Sequence, residues 1–241
     1  MDKLYSILNR ANDWIDRHLP YFYTTEKAFL ELNQLYLFDK VLNREALKIN
    51  INFYKKEYGS IEEILSSDTV YYRKIEYLSL LFLEQKEDAL YTHIQNIFKD
   101  GFLVKLCQGM IPLDIITNRD YLYAVTHDVF YTSLFGRTVA NFETYIDFTN
   151  LSMIIEQGML LSISRDDIDV LMELLCVAYL LKLAIPSYLM KVVEVYLEQK
   201  QAEDGFFYTY NSNEQISNVF LEVYHTCLVA GILLRILKND S

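Results

Sequence analysis

Along most of the chain, apolar residues return every three or four positions, the period of a helix rather than the alternation of a strand. The spacing predicts roughly ten helices. The first covers about residues 2–18 and stops at Pro20, and the next starts at Thr24 or Thr25, a capping hydroxyl ahead of Glu26, and runs to about Leu42. A third, from Arg44 to Tyr58, closes at Gly59, after which Ser60 caps Ile61 to Leu65. Thr69 to Glu84 and Glu87 to Phe98 form a hairpin stopped by Gly101. A long amphipathic run from Leu113 to Phe135 ends at Gly136, followed by helices near Ala140 to Ser162, Asp166 to Leu183, Pro186 to Gln199 and Glu214 to Leu237. Pro186 suits a first helical turn, where its missing N–H costs nothing.

The longest irregular stretch, QAEDGFFYTYNSNEQ, separates the last two helices. Within it Gly205 is expected at positive φ, with Phe206 or Phe207 packed inward as an anchor.

Composition agrees with helices. Only 7 Gly and 3 Pro serve 241 residues, too few turn formers for a many-stranded sandwich or barrel, while 52% hydrophobic residues supply a sizeable core. No linker divides the chain, so residues 1–241 are expected to form a single all-α domain. The 20 Tyr and 14 Phe lie mostly at helical spacing and read as core packing.

The formal charge of −11 is uneven. Residues 1–105 carry 14 basic and 16 acidic side chains, a net of −2, which leaves −9 for residues 106–241. Such a surface repels phosphate backbones and anionic lipid, so neither nucleic acid nor membrane is expected as a partner. The most apolar stretch is broken by Glu173, Lys182 and Pro186, short of the run of about 20 residues needed to span a bilayer. Cys107, Cys176 and Cys227 lie far apart in apolar surroundings and read as buried reduced thiols. With no signal-peptide pattern at the N-terminus, the expected location is the cytoplasm.

Candidate chemistry gathers on two apolar helices that each carry a histidine. In Thr126-His127-Asp128-Val129-Phe130-Tyr131, His127 shares a face with Tyr131 and Leu134, and Asp128 falls on the adjacent face with Tyr121 and Thr132. The second segment is Tyr224-His225-Thr226-Cys227. Neutral imidazoles together with a carboxylate ligate divalent metals, zinc among them, and a closely set His and Asp also transfer protons. His127, Asp128 and His225 are therefore the candidate catalytic and metal-binding residues, expected to meet in one cavity with the two imidazoles within about 10 Å. The opposing reading makes each histidine a core residue hydrogen-bonded to a carbonyl or a tyrosine.

Gln201-x3-Gly205-x-Phe207 resembles the Gln-Trp repeat of terpenoid cyclases, with Phe207 in the place of the family's tryptophan. The role this implies is structural, tying an outer helix to the next inner one. Tyr224-His225-Thr226-Cys227 resembles the helix of protein prenyltransferase β subunits whose histidine ligates the catalytic zinc, which implies that role for His225. Both families share an α/α toroid, and the resemblance implies roughly ten helices here in alternating inner and outer layers around an apolar cavity. The prenyltransferases' Asp-x-Cys zinc pair is missing, as are the cyclases' Asp-rich initiating motifs, so neither family's own reaction is expected. THDVFYTSLFG, with the DGFF and YHT elements, is also similar to an uncharacterised bacterial family of toroid-like proteins.

Two functions follow. The first is a small metal-dependent enzyme of bacterial specialised metabolism, acting on a small apolar molecule or a peptide in the central cavity. The second is a non-catalytic scaffold that holds a ligand or a protein partner, with both histidines structural.

Overall fold

The computed structural model describes residues 2–22, 60–66, 71–136, 142–208 and 216–239. The expected helices from Thr24 to Leu42 and from Arg44 to Tyr58, with the Gly59 stop, lie outside the described residues. Among those described, the protein is all-α, and the one β pairing is an isolated bridge between Gln201 and Phe207. Contacts divide the chain into two compact units, residues 1–46 with 152–241 and residues 47–151.

In the first unit, helix α1 (Asp2–Phe22) buries Leu4, Ile7, Leu8, Ala11 and Ile15, an i, i+3, i+4, i+7, i+11 stripe. That stripe packs on the closing helix at the C-terminal end of the chain, and Tyr5 donates its hydroxyl to the Leu237 carbonyl at 2.8 Å. The N- and C-terminal helices therefore pack together. Pro20 was expected to stop α1, but the helix runs on to Phe22; a proline withholds one N–H from the ladder, and here that loss falls in the final turns.

In the second unit, the first described helix is α2 (Ile61–Ser66), whose start is a reciprocal cap. The Glu63 N–H donates to the Ser60 hydroxyl and the Ser60 N–H to the Glu63 carboxylate. Helices α3 (Tyr71–Gln85) and α4 (Asp88–Lys99) form the expected hairpin, turning through Lys86 at φ 53°. A short helix that the periodicity did not show, α5 (Phe102–Cys107), follows Gly101. Six residues are too few to display a period.

The single run expected from Leu113 to Phe135 is two elements, a 3-10 turn at Leu113–Thr117 and α6 (Arg119–Thr132). Asn118 separates them, because its side chain accepts the Asp120 N–H and caps a new helix. Past α6, Leu134, Phe135 and Gly136 all have positive φ, so the helix closes before the glycine. Helices α3, α4 and α5 all pack on α6.

Helix α7 (Phe148–Ser164) carries the boundary between the units. In the first unit again, α8 (Ile168–Leu180) is buried on nearly every side from Ile168 to Ala178, and α9 (Ser187–Lys200) buries one stripe, Leu189, Val193 and Leu197. Pro186 caps α9 from one position ahead of it. The closing helix is α10 (Ile216–Asn239), which packs on both α1 and α8. No helix among the described residues is long and apolar enough to cross a membrane.

The turn after α9 ties these elements together. Gln201 donates its side-chain amide to the Ile7 carbonyl of α1 and to the Gly205 carbonyl, each at 2.8 Å. Gly205 sits at φ +112°, as expected, and Phe207 is fully buried.

Candidate metal centre

Helix α8 starts cleanly because the Asp167 carboxylate accepts the Val170 N–H, and this places Asp169 in its first turn. Glu173 lies four residues on, so both carboxylates project from the same face of an otherwise apolar helix. The residues that face them are His225 and Thr226 of α10. His225 Nδ1 lies 2.8 Å from Asp169 Oδ1, and the Thr226 hydroxyl donates to the same oxygen at 2.7 Å. On the other side of the ring, His225 Nε2 lies 3.8 Å from Glu173 Oε1.

One donor atom from each of Asp169, Glu173 and His225 falls within 4.8 Å of the others. Glu173 is 1% exposed, while the side chains of His225 and Asp169 keep 20% and 17% of their surface. The cluster is thus closed at Glu173 and reachable where His225 and Asp169 meet. One imidazole and two carboxylates form a donor set of up to two negative charges, which a divalent cation balances with the imidazole neutral.

His225 therefore has ligand-type neighbours in this structure. His127 and Asp128 lie in the other unit and take no part in this cluster. His127 packs between the rings of Tyr123 and Tyr131, at centroid distances of 5.6 and 5.4 Å. Asp128 is 1% exposed and accepts the Tyr71 hydroxyl at 2.7 Å and the Leu103 N–H at 2.8 Å, which anchors the start of α5 on α6. Burial pushes the Asp128 carboxyl up to about 7, although the Leu103 N–H, Tyr71 and His127 each pull it down. The same burial, with the charge of Asp128, drives the Tyr71 hydroxyl upward.

The three thiols are buried, as expected. Burial and then Asp147 push Cys107 up to about 12. Cys176 is raised by burial and by Glu173; Cys227 is raised by burial and, less, by Asp169, against a backbone hydrogen bond from Phe207. Burial thus favours the thiol form of all three groups. An open cleft of about 610 Å³ lies beside α1, lined by Arg10, Asp13, Asp16, Arg17, Glu203 and Asp204, with no member of the cluster in its wall.

Asp169, Glu173 and Thr226 were missed in the sequence. The signal for the first two was an Asp-x3-Glu pair on a helix with almost no other polar residue, where Glu173 was read only as an interruption of an apolar stretch.

No curated protein and no solved structure matches the chain. A family model does match residues 105–234, over half of the chain, a span that holds Asp169, Glu173, His225 and Thr226. The chain belongs to that family, described as a domain of unknown function, DUF6895.

Proposed function

We propose that this protein is a small metal-dependent enzyme whose divalent cation sits in the cluster of His225, Asp169 and Glu173. The observation that carries the reading is the convergence of an imidazole and two carboxylates within 4.8 Å on two apolar helices. Charge is favoured beside a buried carboxylate, and Glu173, 3.8 Å from His225 Nε2, lies where a cation would supply it. A cluster of no more than three protein donors leaves room on the ion for water or substrate, the requirement of a catalytic site. Bound metal would polarise a substrate oxygen or activate that water, while His225 and Glu173 hold the ion and the apolar faces of α8 and α10 exclude bulk water.

The frame we propose for this centre is an α/α toroid of alternating inner and outer helices, with a small apolar molecule or a peptide as substrate. The packing of α1 on α10 supports it, as does the Gln201 turn that ties α9 to α1. The Asp128 cluster is a structural anchor in this reading, and His127 is not a ligand of the same ion.

The second reading is a non-catalytic scaffold with structural histidines. Its support is the 2.8 Å contact of His225 with Asp169, which already satisfies the ring inside the fold. Elemental analysis of protein purified without a histidine tag separates the two. The enzyme reading predicts close to one equivalent of zinc, iron or manganese per chain, lost in a folded His225→Ala variant. A metal-free wild type that also fails to take up these ions would leave the scaffold.

A further inference from the structure

The polar contacts around His225 differ on its two ring nitrogens, and the difference assigns roles within the cluster. A carboxylate only accepts, so the 2.8 Å contact with Asp169 Oδ1 puts a proton on Nδ1. In the neutral ring the lone pair is then on Nε2, the nitrogen that faces Glu173. The 3.8 Å between Nε2 and Glu173 Oε1 is too long for a hydrogen bond of about 2.7–3.2 Å. It is close to the roughly 3.3–3.6 Å that separates two donors each about 2.0–2.2 Å from a tetrahedral ion.

We propose that the cation binds between His225 Nε2 and Glu173, and that Thr226 and Asp169 are positioning residues that aim the imidazole at it. This rests on the metal-centre reading above. Asp169 Oδ1 takes both the His225 ring and the Thr226 hydroxyl. These two residues are consecutive on α10, so their side chains leave the helix about 100° apart. One oxygen held from both directions fixes the carboxylate, and the carboxylate in turn fixes the ring's rotation and tautomer. The placement of Asp169 in the first turn of α8, behind the Asp167 cap, holds the other end of the relay. Partners of this kind set the orientation and basicity of a histidine ligand without touching the ion.

Zinc titration calorimetry on the untagged full chain tests the assignment, with Thr226→Val, Thr226→Ser, Asp169→Asn and Glu173→Gln beside the wild type. Thr226→Val preserves the shape of the side chain and removes its hydroxyl, and it should weaken zinc binding about 10- to 100-fold. Thr226→Ser restores the hydroxyl and should return affinity to within a few-fold of wild type. Asp169→Asn should weaken binding like Thr226→Val and serves as the second probe if the valine variant does not fold. Glu173→Gln, a ligand in this scheme, should abolish binding. If Thr226→Val and Asp169→Asn bind zinc as tightly as the wild type, the relay is wrong although the metal centre stands. If the unmutated chain binds no zinc, the metal centre itself falls, and the relay with it.

Discussion

Gly205→Ala tests how the Gln201 turn is built. At φ +112° a residue with a Cβ is disfavoured by about 1–2 kcal/mol on backbone grounds alone. Space adds to this, because a Cβ at position 205 would overlap the Arg10 carbonyl oxygen and come within 2.9 Å of its carbon. Both are backbone atoms of α1, so relief requires α1 or the turn to shift. The turn is held in place by the Gln201 amide on the Ile7 and Gly205 carbonyls and by the Ala202 N–H on the Phe206 carbonyl. Overpacking of this type adds a further 1–3 kcal/mol or so, for a total of about 2–5 kcal/mol. For a chain of this length each kcal/mol moves the midpoint by about 2–4 °C, so thermal denaturation should show a fall of at least about 4 °C. Urea denaturation should show a lower midpoint with an unchanged slope. A Gly205→Ala protein that melts with the wild type would refute the conformation and the close approach to α1.

Two further outcomes follow from burial. Asp128 is held up to about 7 against an ordinary value of 3.8, so between these pH values the folded state binds the proton that the unfolded state has released. Stability to urea should therefore decline as pH rises from about 4 to 7, and Asp128→Asn should remove that part of the slope; a wild type that gains stability through this window by the same amount as the variant would contradict it. Cys107, Cys176 and Cys227, all buried and all raised, should react with a thiol reagent only on unfolding, and rapid labelling of the native protein would overturn their placement.

The fold was legible wherever a helix buried one face for several turns. The α3 and α4 hairpin, α9 behind Pro186 and α10 all fall within a few residues of where their periodicity puts them. Local chemistry decided the misses: Asn118 caps a new helix in what looked like one run, Pro20 sits inside α1, and α5 is too short to carry a period. Gly205 was readable because positive φ is a property of one residue and its turn.

Of the proposed metal centre, His225 alone stood among the residues singled out in the sequence. A histidine within an apolar helix marks itself, and His225 has ligand-type neighbours. Its partners do not, because Asp169 and Glu173 are 56 and 52 positions earlier (225 − 169 and 225 − 173) and only the packing of α8 on α10 brings them to the ring. Asp128, also expected as a ligand, is a carboxylate on a buried face that anchors α5 on α6. Each of its oxygens accepts one hydrogen bond, Oδ1 from the Tyr71 hydroxyl and Oδ2 from the Leu103 N–H.

The most direct test of the metal centre is the visible spectrum of the cobalt(II)-loaded protein, since that ion reports coordination by nitrogen and oxygen where zinc is silent. One equivalent of cobalt(II) added to the untagged wild type should give a ligand-field band that saturates at one ion per chain. The band should be absent from Glu173→Gln and His225→Ala proteins whose circular dichroism remains helical. A wild-type spectrum no different from the aqueous ion, or a band that survives both substitutions, would contradict the account.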